Sequence, residues 1–156
     1  NRACQIHPNI FTEKTKQELV ERLNKLDAST KPLWGKMNAP QMLAHLNVAY
    51  EMLYDGIHKK PRAFMRFILK AMVKPTVCGP KPYPKNSRTA PQFIIADERD
   101  FEKEKARLTA YLDKVVAEGG SAFEGRESNS FGRLTADEWN TMFYKHADHH
   151  LTQFGV

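Results

Sequence analysis

Residues 135–153 read TADEWNTMFYKHADHHLTQ, and this stretch decides the fold class. It opens with Thr135 and Glu138 in the Thr-x-x-Glu spacing of a capping box, in which each side chain accepts a hydrogen bond from the other residue's backbone N–H. Trp139 and Met142 follow on one face of a helix. The stretch therefore predicts a final helix that runs to about Gln153, with Trp139 and Met142 as packing residues.

The rest of the chain predicts three further long helices and one short one. Asn38, Pro40 and Gln41 match an N-cap, an early-turn proline and a capping-box partner, and Gly56 would end that helix in the left-handed conformation. The other predicted helices cover residues 12–26, 62–73 and 97–118. Residues 74–92 contain five prolines, which favours a long irregular crossover loop.

These elements predict an all-α fold. No stretch of alternating β-branched residues is long enough for a sheet, and residues 93–95 could form only a short extended piece without an obvious partner. Four substantial helices, a short extra helix and a long crossover are typical of a helical bundle. A length of 156 residues fits one domain, which we expect to span residues 1–156.

Composition narrows the function classes. Apolar residues make up 41% of the chain, enough for one core, and the longest apolar runs are far too short to span a bilayer. The net charge of +6 indicates a general attraction to anions and no particular function. Cys4 and Cys78 form no Cys-x-x-Cys pair, so we expect two unpaired thiols and a cytoplasmic location. The sequence has no paired-carboxylate, Ser-His-Asp, phosphate-loop or dinucleotide motif.

Histidines are clustered in the final predicted helix. At about 100° per residue, His146 and His150 lie about 40° apart, on the face that also carries Trp139 and Met142. His149 lies at the border of that face. We therefore expect His146 and His150 to point into the bundle rather than into solvent.

A third histidine, His45, lies on an apolar face of the second predicted helix. Two imidazoles one turn apart can reach a single transition metal, and a ligand from another helix would complete the site. A buried imidazole without partners is costly. We therefore predict that His45, His146 and His150 bind one metal ion. The alternative for each ring is an ordinary core histidine hydrogen-bonded to a carbonyl.

Other polar residues near these faces leave two interpretations open. Gln41 and Gln153 lie one turn from the histidines, where each would either orient a ring or a bound water, or reach a helix-end carbonyl or solvent. His7 and His58 lie in loop segments and are expected to be solvated.

Three motifs carry a resemblance to a known family: residues 37–45 (MNAPQMLAH), residues 130–135 (SFGRLT) and residues 146–154 (HADHHLTQF). Together they resemble the DinB/YfiT-like superfamily, in a branch named only as a domain of unknown function, over most of the chain. The superfamily implies a four-helix bundle whose metal is held by one histidine of the second helix and a His-x-x-x-His pair of the last. Those positions are His45, His146 and His150 here, with His149 as a pocket-lining neighbour.

The resemblance also implies a function. Some relatives transfer low-molecular-weight thiols, such as mycothiol or bacillithiol, to electrophilic small molecules or use them in isomerisation, and relatives are often dimeric. It therefore implies a metal-dependent enzyme with a small-molecule substrate, for which a low-molecular-weight thiol and a homodimer are the expectations. Three imidazoles are compatible with zinc and nickel and also with iron.

Two alternatives to an enzyme stay open. The metal could be purely structural, which a fourth protein ligand would indicate. Residues 59–74 combine six cations with apolar residues, which would suit a module that binds an acidic membrane surface or nucleic acid. A bundle helix with its cations on the wet face is the favoured explanation of that pattern, and a nucleic-acid partner is not favoured.

Overall fold

The structure, a computed structural model, describes residues 7–85 and 90–156. Cys4 lies outside the described residues, and Cys78 is a free thiol. The described part is mainly α-helical, and its elements are α1 (Glu13–Leu23), α2 (Ala39–Tyr50), α3 (Ala63–Met72), α4 (Lys74–Val77), α5 (Phe101–Glu118), α6 (Gly120–Phe123), β1 (Arg126–Ser128), β2 (Gly132–Leu134) and α7 (Ala136–Gln153).

The predicted starts of α2 and α7 are confirmed. The Asn38 side chain accepts a hydrogen bond from the Gln41 N–H at 2.9 Å, and the Thr135 hydroxyl accepts one from the Glu138 N–H at 3.1 Å. The reciprocal bonds from the side chains of Gln41 and Glu138 complete a capping box at each helix. These two starts fix the positions of the histidines along both helices.

The four long helices share one core. Helix α2 packs against α5 and α7, and α1 packs against the same two helices. The apolar side chains that these helices contribute include Leu19, Leu23, Met42, Leu43, Leu46, Leu108, Leu112, Val115, Trp139, Phe143 and Leu151. Within residues 7–85 and 90–156, every helix is too short or too polar to cross a membrane.

Helix α2 ends near the predicted glycine, but through a wider turn than an α-helix has. Glu51–Asp55 forms a π-helical turn, and Gly56 follows with a φ of 62°, the left-handed conformation expected from the sequence. In this turn Glu51 faces α5, where its Oε2 lies 2.5 Å from Nη2 of Arg107. The end of α2 is therefore tied to α5 by an ion pair.

The described parts of the predicted crossover, residues 74–85 and 90–92, contain more helix than an irregular loop would have. Lys74–Val77 forms one helical turn, and Pro91–Phe93 forms a 3-10 turn. The prolines of both turns occupy the first two positions, where a missing backbone N–H has no helical partner to lose. Proline therefore limits the length of these helices without preventing them.

The described part is mainly α-helical, as the predicted all-α fold requires, and it departs from that fold class at one hairpin. Residues 120–134, where the sequence predicts no sheet, form α6 and an antiparallel hairpin in which Arg126 pairs with Leu134 and Ser128 with Gly132. The Ser128 hydroxyl accepts from the Phe131 N–H at 2.9 Å and donates to the Gly132 carbonyl at 2.8 Å. Strands of three residues are too short for alternation to be visible in the sequence.

Candidate metal centre

His45 lies in the second turn of α2. From Ala39 to Val48, every side chain of this helix except Gln41 is buried, and His45 itself is 5% exposed. An imidazole in this position must therefore satisfy its two nitrogens within the protein or through a ligand.

Helix α7 brings two more rings to His45. Its ring centroid lies 4.8 Å from that of His146 and 4.5 Å from that of His150, and the latter two are 4.9 Å apart. Nε2 of His146 lies 2.9 Å from Nε2 of His45. One nitrogen from each ring can be chosen so that all three lie within 4.8 Å of one another. The predicted meeting of the three rings is confirmed, and their binding of a metal stays a prediction.

Hydrogen-bond partners fix which nitrogen is protonated in two of the rings. Nδ1 of His45 lies 2.8 Å from the Phe93 carbonyl oxygen. Because a carbonyl only accepts, Nδ1 carries the hydrogen and Nε2 keeps a lone pair. Gln153 donates through Nε2 to the Trp34 carbonyl at 2.8 Å, which turns its Oε1 toward Nδ1 of His150 at 2.7 Å. His150 therefore also has its hydrogen on Nδ1 and a lone pair on Nε2.

All three rings are neutral at neutral pH. Burial lowers the pKa of His45, and burial together with the neighbouring imidazoles holds the pKa of His146 well below its usual value. Burial lowers the pKa of His150 to about 3. Since a histidine binds a metal through the ring nitrogen that has no hydrogen, a neutral ring can ligate a cation without a net loss of protons.

The donor set fits a divalent transition metal. Zinc–nitrogen bonds of about 2.0–2.1 Å in a tetrahedral site separate neighbouring ligand atoms by about 3.3 Å. Here Nε2 of His45 and Nε2 of His146 are 2.9 Å apart, and one nitrogen from each of the three rings can be chosen so that all lie within 4.8 Å of one another. The Phe93 carbonyl and the Gln153 amide are the kind of partners that orient ligating histidines. In the part of the chain that the structure describes, the group has no fourth His, Cys, Asp or Glu.

The cluster lines a pocket of about 590 Å³. Trp34, Tyr83 and Phe93 supply aromatic walls, and residues 94–96 add an apolar edge. The ring centroid of His149 lies 5.8 Å from that of Trp34 and 5.4 Å from that of Tyr83. A cavity of this size, mostly apolar with a few convergent polar groups, suits a small organic molecule.

The site lies in a region that the chain shares with a family. Residues 10–155 match a family model described as protein of unknown function (DUF1569). The chain belongs to the DUF1569 family. No curated protein and no solved structure matches it. Because the match includes α2, α7 and every residue that lines the pocket, the histidine cluster is contained in the DUF1569 region.

The two glutamines of this DUF1569 chain follow different alternatives. Gln153 orients the ring of His150. Gln41 lines the pocket too, but its Oε1 caps α2 and its Nε2 donates to the Asp97 carbonyl at 3.2 Å. Only one of the two therefore acts on a histidine, and the other reaches a backbone carbonyl.

Two other histidines depart from the prediction that they are solvated. Nε2 of His58 lies 3.1 Å from Oε1 of Glu51, and its side chain is 17% exposed. His7 is half-buried, with its ring centroid 6.0 Å from that of Tyr144. The partners, Glu51 and Tyr144, lie on helical elements and not in the loops that carry the two histidines. The local sequence around His7 and His58 therefore gives no sign of these contacts. Trp139 and Met142 pack in the core as predicted, and His149 lines the pocket outside the cluster.

Sequence reasoning missed Lys145, which lies on α7 beside the cluster. This lysine is buried, and its Nζ donates to the carbonyls of Thr76 and Gly79, the latter at 3.1 Å. Nζ also lies 4.5 Å from the centre of the Tyr83 ring. Lys145 thereby fixes the proline-rich segment, and with it one wall of the pocket, against α7. The sequence signals this role of Lys145 only by placing a lysine at the edge of a buried helix face.

Proposed function

We propose that His45, His146 and His150 bind one divalent transition metal and that the protein is an enzyme acting on a small molecule in the adjoining pocket. Zinc and nickel are the first candidates, and iron is the third. The observation that carries the proposal is the convergence of three neutral imidazoles from two helices, two of which have their Nδ1 hydrogens committed to Phe93 and Gln153. Their Nε2 lone pairs are thereby left for a cation.

An open coordination sphere favours catalysis over a structural role. Structural zinc sites have four protein ligands, whereas catalytic sites have three and an exchangeable position. Here the described residues supply three ligands beside a pocket. A bound ion would supply Lewis acidity, which lowers the pKa of a bound water or thiol and polarises a carbonyl.

The thiol-dependent reaction in this proposal comes from the resemblance to the DinB/YfiT-like superfamily, and the pocket residues are compatible with it. Trp34, Tyr83 and Phe93 would exclude water from the reacting atoms. His149 is neutral because burial lowers its pKa, and it can accept a proton. We propose that the sulfur of a low-molecular-weight thiol forms a bond to an electrophilic carbon. The leaving group departs with its electron pair, and the thiol proton passes to His149 or to water.

The same proposal includes the architecture. Helices α1, α2, α5 and α7 share one core, and the three histidines lie on the second and the last of these four helices, α2 and α7. This arrangement supports a four-helix bundle of the DinB/YfiT type. One domain over residues 1–156, a homodimer and a cytoplasmic location belong to it as well. Superposition of an experimental structure on a DinB/YfiT protein tests the bundle topology directly.

Metal content tests the first half of the proposal. Protein purified without chelators or metal columns should contain about one divalent ion per chain by elemental mass spectrometry, and metal-free protein should show visible ligand-field bands with cobalt. His150→Ala should lose both signals, and His149→Gln should keep both. A wild-type protein that contains no metal, and whose melting temperature does not respond to zinc or nickel, contradicts the proposal.

Turnover tests the second half. Metal-loaded protein is mixed with a panel of low-molecular-weight thiols and a chromogenic electrophile such as 1-chloro-2,4-dinitrobenzene, and conjugate formation is followed by absorbance. His149→Gln should lower kcat by about a hundredfold while the metal is retained. A metal-loaded protein without turnover, whose cobalt spectrum does not respond to any thiol, would favour a structural ion.

A further inference from the structure

Helix α3 presents its apolar face to solvent. Phe64, Phe67 and Met72 are 76%, 71% and 74% exposed. At about 100° per residue they lie, with Ile68 between them, on one stripe about 140° wide. Leu69 lies on the opposite side and packs against the core. The helix has no buried residue, so the stripe projects outward as a ridge.

The positive charge of the chain comes from the segment that contains this ridge. Nine of the 24 Lys and Arg residues lie between residues 56 and 96, and none of the 18 Asp and Glu residues does. The rest of the chain has 15 cations against 18 acids. The segment around α3 therefore attracts anions, whereas the remainder of the chain does not.

Three of these cations, on α3 or in the residues just before it, are available. Lys59, Arg62 and Lys70 are exposed, and none has an acidic partner within residues 7–85 and 90–156. Lys70 lies about 60° from Phe67 around the helix, at the edge of the stripe. Other cations of the segment are already paired, for example Arg66 with Glu127 at 2.8 Å.

We propose that α3 docks on an anionic phospholipid surface. Phe64, Phe67 and Met72 enter the interface between headgroups and acyl chains, and the three available cations contact lipid phosphates or carboxylates. A helix with aromatic residues on one face and Lys and Arg beside it has the composition of an interfacial helix. Charge complementarity selects this occupant, because a second copy of the chain would bring the same cations together and a duplex nucleic acid, whose bases are paired and stacked, would leave the phenylalanines without an apolar partner.

Sedimentation with lipid vesicles tests the proposal on the full chain. Vesicles of phosphatidylcholine with about 30% phosphatidylserine should bind the protein at low salt, and pure phosphatidylcholine vesicles should not. Phe64→Ser with Phe67→Ser, and separately Arg62→Glu with Lys70→Glu, should each weaken binding at least about tenfold. Lys25→Glu with Lys103→Glu reverses two exposed cations elsewhere and should weaken binding less than about threefold.

Three results would overturn it. The first is an absence of vesicle binding at low salt. The second is a wild-type dimer, by sedimentation equilibrium, that the serine double variant converts to monomer, because a second copy would then cover the ridge. The third is binding to duplex DNA, without vesicle binding, that depends on Arg62 and Lys70 but not on the phenylalanines. Metal content measured on the same samples is independent of these outcomes, so this inference and the metal proposal can fail separately.

Discussion

Helix α2 carries two groups of buried polar side chains that are completed in opposite ways. Two residues after His45, Asn47 donates through Nδ2 to Oε2 of Glu104 at 2.9 Å. One turn further, Oε2 of Glu51 lies 2.5 Å from Nη2 of Arg107. Nη1 of the same arginine lies 2.8 Å from Oε2 of Glu104. In this ionic group every charge faces an opposite charge that the chain itself supplies.

The histidine group contains no such complement. His45, His146 and His150 are chemically alike, neutral, and turned toward one another. A buried group in which every charge faces an opposite charge is complete within the fold, whereas a group of like bases gains most from a cation that comes from outside. Substitutions in the histidine group should therefore change metal affinity, and substitutions in the ionic group should change the free energy of unfolding.

Substitution of His45 and of Asn47, two positions apart on α2, should separate loss of metal affinity from loss of stability most clearly. His45→Ala should weaken metal binding by more than about a hundredfold, because two imidazoles remain of three. Asn47→Ala should leave the affinity within about twofold and lower the free energy of unfolding by about 1–3 kcal/mol, because Glu104 loses a buried donor. Competition with a chromophoric chelator and urea unfolding of the metal-free protein measure the two effects. Equal loss of metal in both variants would erase the distinction.

Arg107→Leu breaks the ionic group at its centre. We expect the free energy of unfolding to fall by about 3 kcal/mol, because the buried carboxylates of Glu51 and Glu104 lose the guanidinium that they share. Arg99, 3.6 Å from Oε1 of Glu104, replaces that charge only in part. Metal affinity should not change. Arg133→Leu, at an exposed position, should change stability by less than about 0.5 kcal/mol in the same urea titration. A metal affinity that falls together with stability would show that the two groups are coupled.

Gln153→Met tests the support of one ligand. His150 then loses the acceptor for its Nδ1 hydrogen, and metal affinity should fall by about tenfold to a hundredfold. Gln41→Met, on the other wall of the pocket, removes a helix cap and should cost about 1 kcal/mol of stability without affecting the metal. Zinc titration of both variants is decisive: equal affinities would mean that the Gln153 contact does not orient a ligand.

The metal-free protein should lose stability in acid. The pKa of His150 is lowered by burial to about 3 in the folded chain, whereas an unfolded histidine titrates near 6.5. Between these values the unfolded chain takes up a proton that the folded chain does not, so the free energy of unfolding falls as the pH falls below about 6.5, by up to about 1.4 kcal/mol per pH unit for one imidazole. His150→Gln should reduce the slope between about pH 4 and pH 6 by that amount. An unchanged slope would mean that this ring is protonated in the folded chain.

The sequence predicts the helices and the cluster because their signals are local. Capping boxes identify the starts of α2 and α7, and helical spacing places His146 and His150 on one face. The rest of the site depends on contacts between distant segments. Phe93 acts through its backbone carbonyl, which every residue type has, and Lys145 is buried because carbonyls more than 60 positions away accept its hydrogens. Neither contact leaves a mark in residue type or periodicity.

The bond from Trp34 through Gln153 to His150 joins the rim of the pocket to the cluster. The Leu33 N–H also donates to the Gln153 carbonyl at 2.7 Å, so this rim is attached to the end of α7 at two points. Of the two tryptophans in the chain, only Trp34 lines the pocket, and Trp139 is buried in the core. A molecule that stacks on the Trp34 indole therefore alters the emission of one fluorophore against a constant background from the other. The protein carries its own optical reporter of pocket occupancy.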